Sequence, residues 1–455
     1  MNNMTLHVEG LGKISMADIE MAPLMFFIGD NNSGKSYLMT LIYGLMTAPF
    51  WEFLGLQGEP EYDACSAMLD SYFVEDEPDM REISTEDFVL LINLLNGILS
   101  RHKNRIASSA FNKQMHVGKL SIKMPYVPIS LGIFAHREMN HTNPSYNGDF
   151  AISGMGYKPR RYSVAMGGPL SFSRMAGEEK KRFILYELIK LLLAIGMGKD
   201  ETLEPLFLPV SRTGFMLTYK TLAGNSIEEK FNNVSVEKNL LTRPESDFLK
   251  KLTELRAVGD DAGNKFRAIS DFITGQITNG EVNLSDGPAS DILYSPRGQE
   301  KLELPLFLTS GVVTEMAPLL IFLNNGYKLN HLMMEEPEMC MHPELQKKVG
   351  QLLVRLVNHK INVMVTTHSD IILQHINSMI LLNKHENKAA LMDKYHYEES
   401  DMVDEDRIRV YQFKVNSSNT STITNIECGE FGFPLSTFSD TLNDMLREAE
   451  ALMED

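Results

Sequence analysis

Cysteine is scarce in this sequence, and long hydrophobic runs are missing. The 455 residues include three cysteines, Cys65, Cys340 and Cys428, which lie far apart and lack the CxxC spacing of a zinc or redox motif. An odd number of scattered cysteines argues against a disulfide framework and is typical of reduced thiols. No apolar stretch reaches the roughly 18 residues that a membrane-spanning helix needs, so we expect no membrane span.

Positive charge is also in deficit. Lys and Arg number 43 against 60 Asp and Glu, which gives a net charge of −17 and a pI of about 5.2. Such a surface does not attract nucleic acid as a whole, so any DNA contact would need a local basic patch. The first residues, MNNMTLHVEG, lack the basic-then-apolar order of a signal peptide, and we expect a cytoplasmic protein.

Strands and helices alternate along much of the chain. The apolar run from Leu24 to Ile28 predicts a buried strand, and a helix is expected from Lys35. Further on, the patterns predict strand 331–335, helix 343–357, strand 361–366, helix 369–377, strand 379–383, strands near Val410 and Ile423, and a helix from Leu435 to Met453. Alternation of this kind implies an α/β fold with a parallel β-sheet.

The segment GDNNSGKS, residues 29–36, fits the phosphate-binding pattern G-x-x-x-x-G-K-[ST]. Its glycines let successive backbone N–H groups point at phosphate oxygens, Lys35 reaches the terminal phosphates, and the Ser36 hydroxyl is a magnesium ligand. A chance Gly-rich turn is the alternative, but the strand before and the helix after favour a phosphate site. We expect the nucleotide to be bound by Gly29, Asn31, Asn32, Ser33, Gly34, Lys35, Ser36 and Tyr37.

Two acids follow the predicted strand 331–335, in the order MMEEPE. Such a pair is typical of the Walker B motif, in which the first acid orders Mg²⁺ and the second polarises the attacking water. Glu335 is therefore the expected metal residue together with Ser36, and Glu336 the expected catalytic base. An acidic loop after a strand is the alternative.

Two further segments bear on the same chemistry. His368 follows the next predicted strand, where it can hydrogen-bond the γ-phosphate and sense its loss, although a lone histidine there is more often an ordinary loop residue. Ser310 and Gly311 precede a predicted helix whose N-terminus is suited to an anion, although a plain helix cap accounts for them equally well.

These segments, in this order, resemble the ABC-type ATPase superfamily in its RecF-like and OLD-like branch. GDNNSGKS looks like the Walker A motif, LTSGVVTE like the signature loop, MMEEPE like Walker B and TTHSD like the switch histidine, while MCMHPE resembles the D-loop and LPVSRTG a P-x-S-R-x-G segment of the same branch. The signature reads SGVV, which departs from the SGGQ of transporters. For the Q-loop glutamine, Gln57 and Gln114 are both candidates.

The resemblance implies an ABC-type ATPase head that binds ATP and Mg²⁺. Its α/β fold would be a mixed and parallel β-sheet flanked by helices, with inserted helical lobes. The core would comprise residues 1–48, 200–224 and 295–455, with a helical and β lobe at 49–199 and a small helical insertion at 225–294. In the family, ATP lies between two heads. Ser310 and Gly311 of one copy would then face the nucleotide held by Lys35 of another, which implies a homodimer or higher homo-oligomer.

The resemblance extends to the ATPase subunits of two-gene antiphage systems of the PARIS, Septu and retron-associated types. It implies a separately encoded effector, a nuclease or toxin, and a phage-encoded trigger. Asp404 and Asp406 look like the D-x-D metal motif of a nuclease. They lie in a charged loop that is better interpreted as solvated surface, so a built-in nuclease is not expected.

Two other readings of the function stay open. One is a RecF-like repair ATPase that binds DNA through basic clusters at 158–161 and 180–182. The other is a nucleotide-gated scaffold with little turnover.

Overall fold

The computed structural model describes residues 4–54, 58–75, 81–140, 143–154, 160–162, 177–199, 203–231, 241–256, 264–285, 291–299, 301–434, 445–450 and 452–453. The strands are β1 (Thr5–Leu11), β2 (Ile14–Glu20), β3 (Leu24–Gly29), β4 (Phe73–Glu75), β5 (Arg81–Glu82), β6 (Lys119–Lys123), β7 (Ile129–Asn140), β8 (Asn143–Gly154), β9 (Arg160–Tyr162), β10 (Pro205–Leu208), β11 (Gly280–Leu284), β12 (Ile292–Pro296), β13 (Leu304–Pro305), β14 (His331–Glu335), β15 (Asn362–Thr366), β16 (Ile408–Val415) and β17 (Ser421–Ile426). The helices are α1 (Lys35–Met46), α2 (Phe50–Phe53), α3 (Pro60–Asp70), α4 (Thr85–Phe111), α5 (Gly177–Gly196), α6 (Arg212–Phe231), α7 (Arg243–Glu254), α8 (Arg267–Gln276), α9 (Gly311–Asn324), α10 (Pro343–Asn358), α11 (Asp370–Lys384) and α12 (Lys388–Tyr395). None of these helices is long and apolar enough to cross a bilayer.

Nine of the described strands form one mixed sheet in the order β10-β14-β15-β3-β16-β17-β2-β1-β6. The strands from β10 through β16 are parallel, and β17 then pairs antiparallel with β16. The predicted α/β class, with a mixed and parallel sheet flanked by helices, is confirmed. Two smaller sheets, β11-β12-β13 and β4-β7-β8-β9 with β5 beside β7, lie outside this path.

The central strand β3 separates two hydrophobic cores. Its residues alternate between faces, as the two-residue period of a strand requires. Met25 and Phe27 pack into the core that contains α1, α4 and α5. Leu24, Phe26 and Ile28 pack into the core that contains α9, α10 and α11. A strand buried on both faces reads as a continuous apolar run, which is what the sequence shows.

Helix α11 replaces a strand predicted at 379–383. Ser369 caps its first turn by accepting a hydrogen bond from the Ile372 N–H at 3.2 Å. The buried residues Ile372, Leu373, Ile376, Met379 and Ile380 recur at helical spacing and share one face. The strand prediction was wrong because a short apolar run fits both periods, and nothing in the sequence breaks the helix before it.

The edge strand β6 lies within residues 49–199, the range predicted as an inserted lobe. It pairs antiparallel with β1 and so belongs to the nine-stranded sheet. The predicted domain boundaries themselves stay a prediction. The helix predicted from Leu435 to Met453 lies partly outside the described residues. Within the predicted range, residues 445–450 are described and are helical.

Candidate functional site

The loop between β3 and α1 has the backbone of a tight turn. Gly29 has a φ of 121°, Asn32 of 56° and Gly34 of 98°. A Cβ atom on Gly29 would lie 2.1 Å from the carbonyl oxygen of Phe413 in β16. Glycine is therefore required at position 29 by space as well as by conformation. The loop ends where α1 begins at Lys35, so the positive end of that helix faces the loop.

Lys35 is folded back onto its own loop. Its Nζ donates to the carbonyl oxygens of Gly29 at 3.0 Å and Asp30 at 2.7 Å, and the side chain is buried. Burial lowers the pKa of Lys35 to about 8, while the charges of Glu336, Asp30 and Glu338 oppose that shift. The ammonium is thus placed among loop carbonyls and acids, within reach of any phosphate that enters the loop.

The other predicted loop residues differ in exposure. Asn31, Asn32, Ser36 and Tyr37 are exposed, and the Tyr37 ring lies 4.9 Å from that of Phe111. Ser33 is the exception, because it is 1% exposed and its Oγ is buried without a hydrogen-bond partner among the described residues. Buried polar atoms in proteins almost always have a partner, so this hydroxyl fits a ligand in the loop.

The carboxyl ends of three parallel strands bring the predicted acids to this loop. Glu335 in β14 is opposite Thr366 in β15, which is opposite Phe27 in β3. Glu335 is buried, and its carboxylate accepts from Ser36 and from the Val210 N–H at 3.2 Å. Burial raises the pKa of Glu335, whereas these two hydrogen bonds lower it. The two residues predicted to hold the metal therefore contact each other.

Glu336 has a backbone conformation that is rare for a non-glycine residue. Its φ is 42°, and its N–H donates to the carbonyl oxygen of Thr366 at 2.8 Å. The side chain is half-buried, and its charge acts on both Lys35 and His368. The predicted base thus faces the same space as the lysine.

His368 lies at the end of β15, beside the same group of charges. It is half-buried; burial and the charge of Lys35 lower its pKa, whereas Glu336 and Asp30 raise it. A mainly neutral imidazole can both accept and donate a hydrogen bond.

Glu338 was not predicted as a site residue. Its carboxylate accepts from the His368 N–H at 2.6 Å and from the Thr367 hydroxyl at 2.8 Å, and burial raises its pKa. Glu338 therefore fixes the histidine loop to the turn after β14. The only signal in the sequence was a third acid two residues after Glu336, and the contact itself depends on the packing of β14 against β15.

Ser310 and Gly311 lie at the start of α9. Ser310 is exposed and makes no side-chain capping bond, and a Cβ on Gly311 would lie 3.0 Å from the Cβ of Cys340. In the described part of the chain no hydrogen bond joins either residue to the loop at 29–36. The structure therefore places Gly311 against Cys340, in the segment that resembles the D-loop. The predicted role of both residues toward a nucleotide stays a prediction.

The residues present fit ATP and Mg²⁺. A buried carboxylate beside the Ser36 hydroxyl offers hard oxygen ligands, and Lys35 with the loop amides offers positive charge to phosphates. No group of three or more His, Cys, Asp or Glu side chains suited to a metal occurs in the described ranges. That agrees with Mg²⁺, which is usually held by one or two protein groups plus phosphates and water. The assignments of individual ligands stay predictions.

Comparison with known proteins adds a domain match. Residues 214–373 match the family model of the AAA ATPase domain. This range contains Ser310, Gly311, Glu335, Glu336 and His368, while the loop at 29–36 lies outside it. The matched domain, together with a phosphate-binding loop set between β3 and α1, supports an ATPase of the P-loop class.

Other comparisons are weaker. No curated protein matches the sequence. The SMC head domain from Thermotoga maritima is 11% identical, with a TM-score of 0.35 over 94% of this chain and 100% of that chain. An SmcHead bound to the C-winged helix domain of ScpA is 10% identical, with a TM-score of 0.37 over 93% and 98%. An Smc head domain with an extended coiled coil, bound to the C-terminal domain of ScpA derived from Pyrococcus furiosus, is 10% identical, with a TM-score of 0.35 over 99% and 100%. Likenesses at this level support no conclusion about function.

Proposed function

We propose that this chain binds ATP with Mg²⁺ and hydrolyses it to ADP and phosphate. The observation that carries the proposal is the meeting of Lys35 and Ser36 with Glu335, Glu336 and His368 at the ends of three adjacent parallel strands. In hydrolysis, a water oxygen bonds to the γ-phosphorus while the bond to the bridging oxygen of ADP breaks. Each of these side chains suits one part of that reaction.

The side chains divide the reaction among them. Lys35 leaves its loop carbonyls to pair with the terminal phosphates. Ser36 and Glu335 would hold Mg²⁺, which would supply positive charge next to the phosphates. Glu336 orients the attacking water and accepts its proton. His368 hydrogen-bonds the γ-phosphate, with Glu338 fixing the main chain of its loop.

Two substitutions test this division. Lys35→Ala should abolish tight ATP binding, measured by calorimetry, whereas Lys328→Ala, an exposed lysine elsewhere, should not change it. Glu336→Gln should keep ATP binding but lower the hydrolysis rate by at least about 100-fold. The exposed Glu386→Gln is its matched control. Retained binding in Lys35→Ala, or normal turnover in Glu336→Gln, would contradict the proposal.

The finer proposal is that this ATPase belongs to an antiphage defence complex. There it senses a phage-encoded trigger and controls a separately encoded toxic effector, a nuclease or another toxin. Support comes from the motif set that resembles the ATPase subunits of such systems. The test is phage plating on cells that carry the native locus with wild type, Lys35→Ala or Glu336→Gln. Equal plating on all three, or no effector gene beside this one, would contradict the defence role while leaving ATP hydrolysis standing.

The contacts of one basic cluster bear on the DNA-binding alternative. Lys181 pairs with Asp70 at 2.7 Å, and Arg182 donates to the Trp51 carbonyl oxygen at 2.7 Å and stacks over its ring. Side chains committed to internal contacts are poor phosphate ligands, so this cluster does not favour a DNA-binding function. The side chains of the other cluster, at 158–161, lie outside the described residues. A steeply salt-dependent gel shift with plain duplex DNA would support a DNA-binding function.

A further inference from the structure

Arg212 is the largest of the fully buried side chains in the described ranges. It begins α6, just after β10 ends. Its Nη1 donates to the carbonyl oxygens of Glu335 at 2.6 Å and Pro209 at 3.1 Å, and its Nη2 donates to that of Glu336 at 3.1 Å. The same Nη2 lies 2.6 Å from Oε2 of Glu315. One guanidinium thus joins the main chain of Glu335, the predicted metal residue, and of Glu336, the predicted base, to a side chain of α9.

Glu315 is as deeply placed as its partner. It is 1% exposed, it lies in the second turn of α9, and its Oε1 accepts a hydrogen bond from the Thr213 hydroxyl. Replacing a buried ion pair by apolar residues is often neutral or stabilising, whereas removing one partner leaves a buried charge alone. Stability alone therefore does not account for a buried arginine and glutamate at this position.

The main chain that Arg212 holds is the strained one. Glu336 has a φ of 42°, a conformation that persists only when surrounding contacts impose it. Three hydrogen bonds act on its peptide groups: its N–H donates to the Thr366 carbonyl oxygen, and its own carbonyl oxygen accepts from Arg212 and from the Met339 N–H. A displacement of about 1 Å would lengthen any of these contacts beyond hydrogen-bond range.

We propose that Arg212 is a positioning residue that couples α9 to Glu336. Ser310 and Gly311 begin α9, so a contact made there moves or fixes the helix that carries Glu315. Arg212 then passes that constraint to the main chain of Glu336. In a site shared between two copies, the nucleotide of one copy would set the hydrolysis rate of the other. The inference rests on the proposed ATP hydrolysis and adds its regulation.

The first test separates positioning from folding. Arg212→Met with Glu315→Leu removes both charges together, so that no buried charge is left alone. The hydrogen bonds lost from main-chain carbonyl oxygens should lower the melting temperature without unfolding the chain. We expect kcat to fall by about 100-fold with the ATP dissociation constant changed by less than about threefold, because a 1 Å misplacement of catalytic groups costs about that much. Arg212→Lys keeps the charge but cannot reach all of its partners, and should also lower kcat.

A matched control exists elsewhere in the fold. Arg355 and Asp401 form another buried ion pair, with Nε 2.6 Å from Oδ1, between α10 and the loop before β16. Arg355→Met with Asp401→Leu should leave kcat within about twofold of wild type. Two outcomes would show that the positioning role is wrong. In one, both double variants lose hydrolysis rate in proportion to their loss of stability. In the other, the Arg212→Met, Glu315→Leu variant regains the full rate when its stability is restored.

A second measurement does not depend on turnover. The amides of Glu336 and Met339 are hydrogen-bonded in this turn, to the carbonyl oxygens of Thr366 and Glu336 respectively. Hydrogen exchange at these two amides should be at least about tenfold faster in the Arg212→Met, Glu315→Leu variant and unchanged in the control. If the wild-type protein hydrolyses no ATP, the proposed function is wrong, but hydrogen exchange still tests whether Arg212 couples α9 to Glu336. Unchanged exchange in the folded variant would overturn that coupling.

Discussion

Four residues around the site, Gly29, Asn32, Gly34 and Glu336, have positive φ angles. The two glycines could be interpreted from the sequence, because a phosphate-binding loop needs them. Glu336 could not, because its conformation is imposed by contacts with Thr366 and Arg212, which are distant in sequence. At the scale of single residues, the sequence thus indicated the chemistry of the loop at 29–36 but not the strained backbone of Glu336.

Gly29→Ala tests the space requirement. The new Cβ would lie 2.1 Å from the Phe413 carbonyl oxygen, on a backbone with a φ of 121°. We expect a loss of about 2 kcal/mol or more in the free energy of unfolding, together with loss of ATP binding. Denaturant unfolding and calorimetry measure the two effects. Gly275→Ala, in α8 with open space around it, should instead be neutral or slightly stabilising. Equal stability of the two variants would contradict the prediction.

ATP affinity should depend on pH through Lys35. Burial lowers the pKa of Lys35 to about 8 in the free protein, and bound phosphates would raise it again. Below pH 8 the lysine is protonated in both states, so its titration does not affect binding. Above pH 8 binding takes up a proton, and affinity should fall by up to about tenfold per pH unit.

Calorimetry in two buffers of different ionisation enthalpy measures that proton. Uptake should approach about one proton at pH 9 and be small at pH 7. Lys35→Arg, whose guanidinium stays charged, should bind ATP without this uptake. Identical uptake by the two proteins at pH 9 would show that another group titrates.

At the scale of elements, the parallel strands β3, β14 and β15 decide where the site lies. Their alternation with helices could be predicted from the sequence, and parallel strands bring their carboxyl ends to one edge of a sheet. Three structural features could not be predicted from the sequence: the continuation of α11 through 379–383, the pairing of β6 with β1, and the burial of Asp401 inside a charged loop. The β6 pairing and the burial of Asp401 each depend on a neighbour supplied by a distant segment, whereas α11 continues because its buried residues keep helical spacing.

His331, at the start of β14, should make the fold sensitive to acid. Burial lowers its pKa to about 3, and the charge of Lys199 acts in the same direction. In the unfolded chain the ordinary value is about 6.5, so on acidification the unfolded state takes up the proton first. The stability that His331 contributes is complete above pH 6.5 and falls by up to about 1.4 kcal/mol per pH unit as the pH drops toward 3.

Denaturant unfolding at pH 7, 6 and 5 measures this slope. His331→Gln cannot titrate and should flatten the decline of stability relative to wild type. The exposed His385→Gln should leave the decline unchanged. An unaltered slope in His331→Gln would mean that other groups, such as the half-buried His375, account for the acid response.

At the scale of the whole molecule, one sheet with a hydrophobic core on each face brings Glu335, Glu336 and Lys35 to the carboxyl ends of its parallel strands. Gly311, at the start of α9, lies against Cys340. In the proposed shared site, we expect the start of α9 of a second copy to face the nucleotide. The exposed Phe307 and Leu308, 71% and 61% accessible, precede that helix and add apolar surface for such a contact.

The proposed shared site predicts dimers that depend on ATP. With ATP and Mg²⁺, the Glu336→Gln protein should have twice the chain mass of 51.4 kDa, measured by light scattering. Without nucleotide it should have the mass of one chain. Ser310→Glu in this background places a negative charge toward the phosphates and should stay monomeric while still binding ATP. Ser100→Glu, exposed on α4, is the matched control and should dimerise.

Mixing two inactive proteins tests the same site by complementation. Lys35→Ala lacks the phosphate lysine, and Ser310→Glu lacks a usable signature loop, so each alone should hydrolyse almost no ATP. Neither protein alone should form the ATP-dependent dimer, so in an equal mixture every dimer carries one of each and contains one intact composite site. Turnover should then recover to at most about half of the wild-type rate. A mixture as inactive as its components would mean that Ser310 acts within its own copy, and that the site at Lys35 is complete in a single chain.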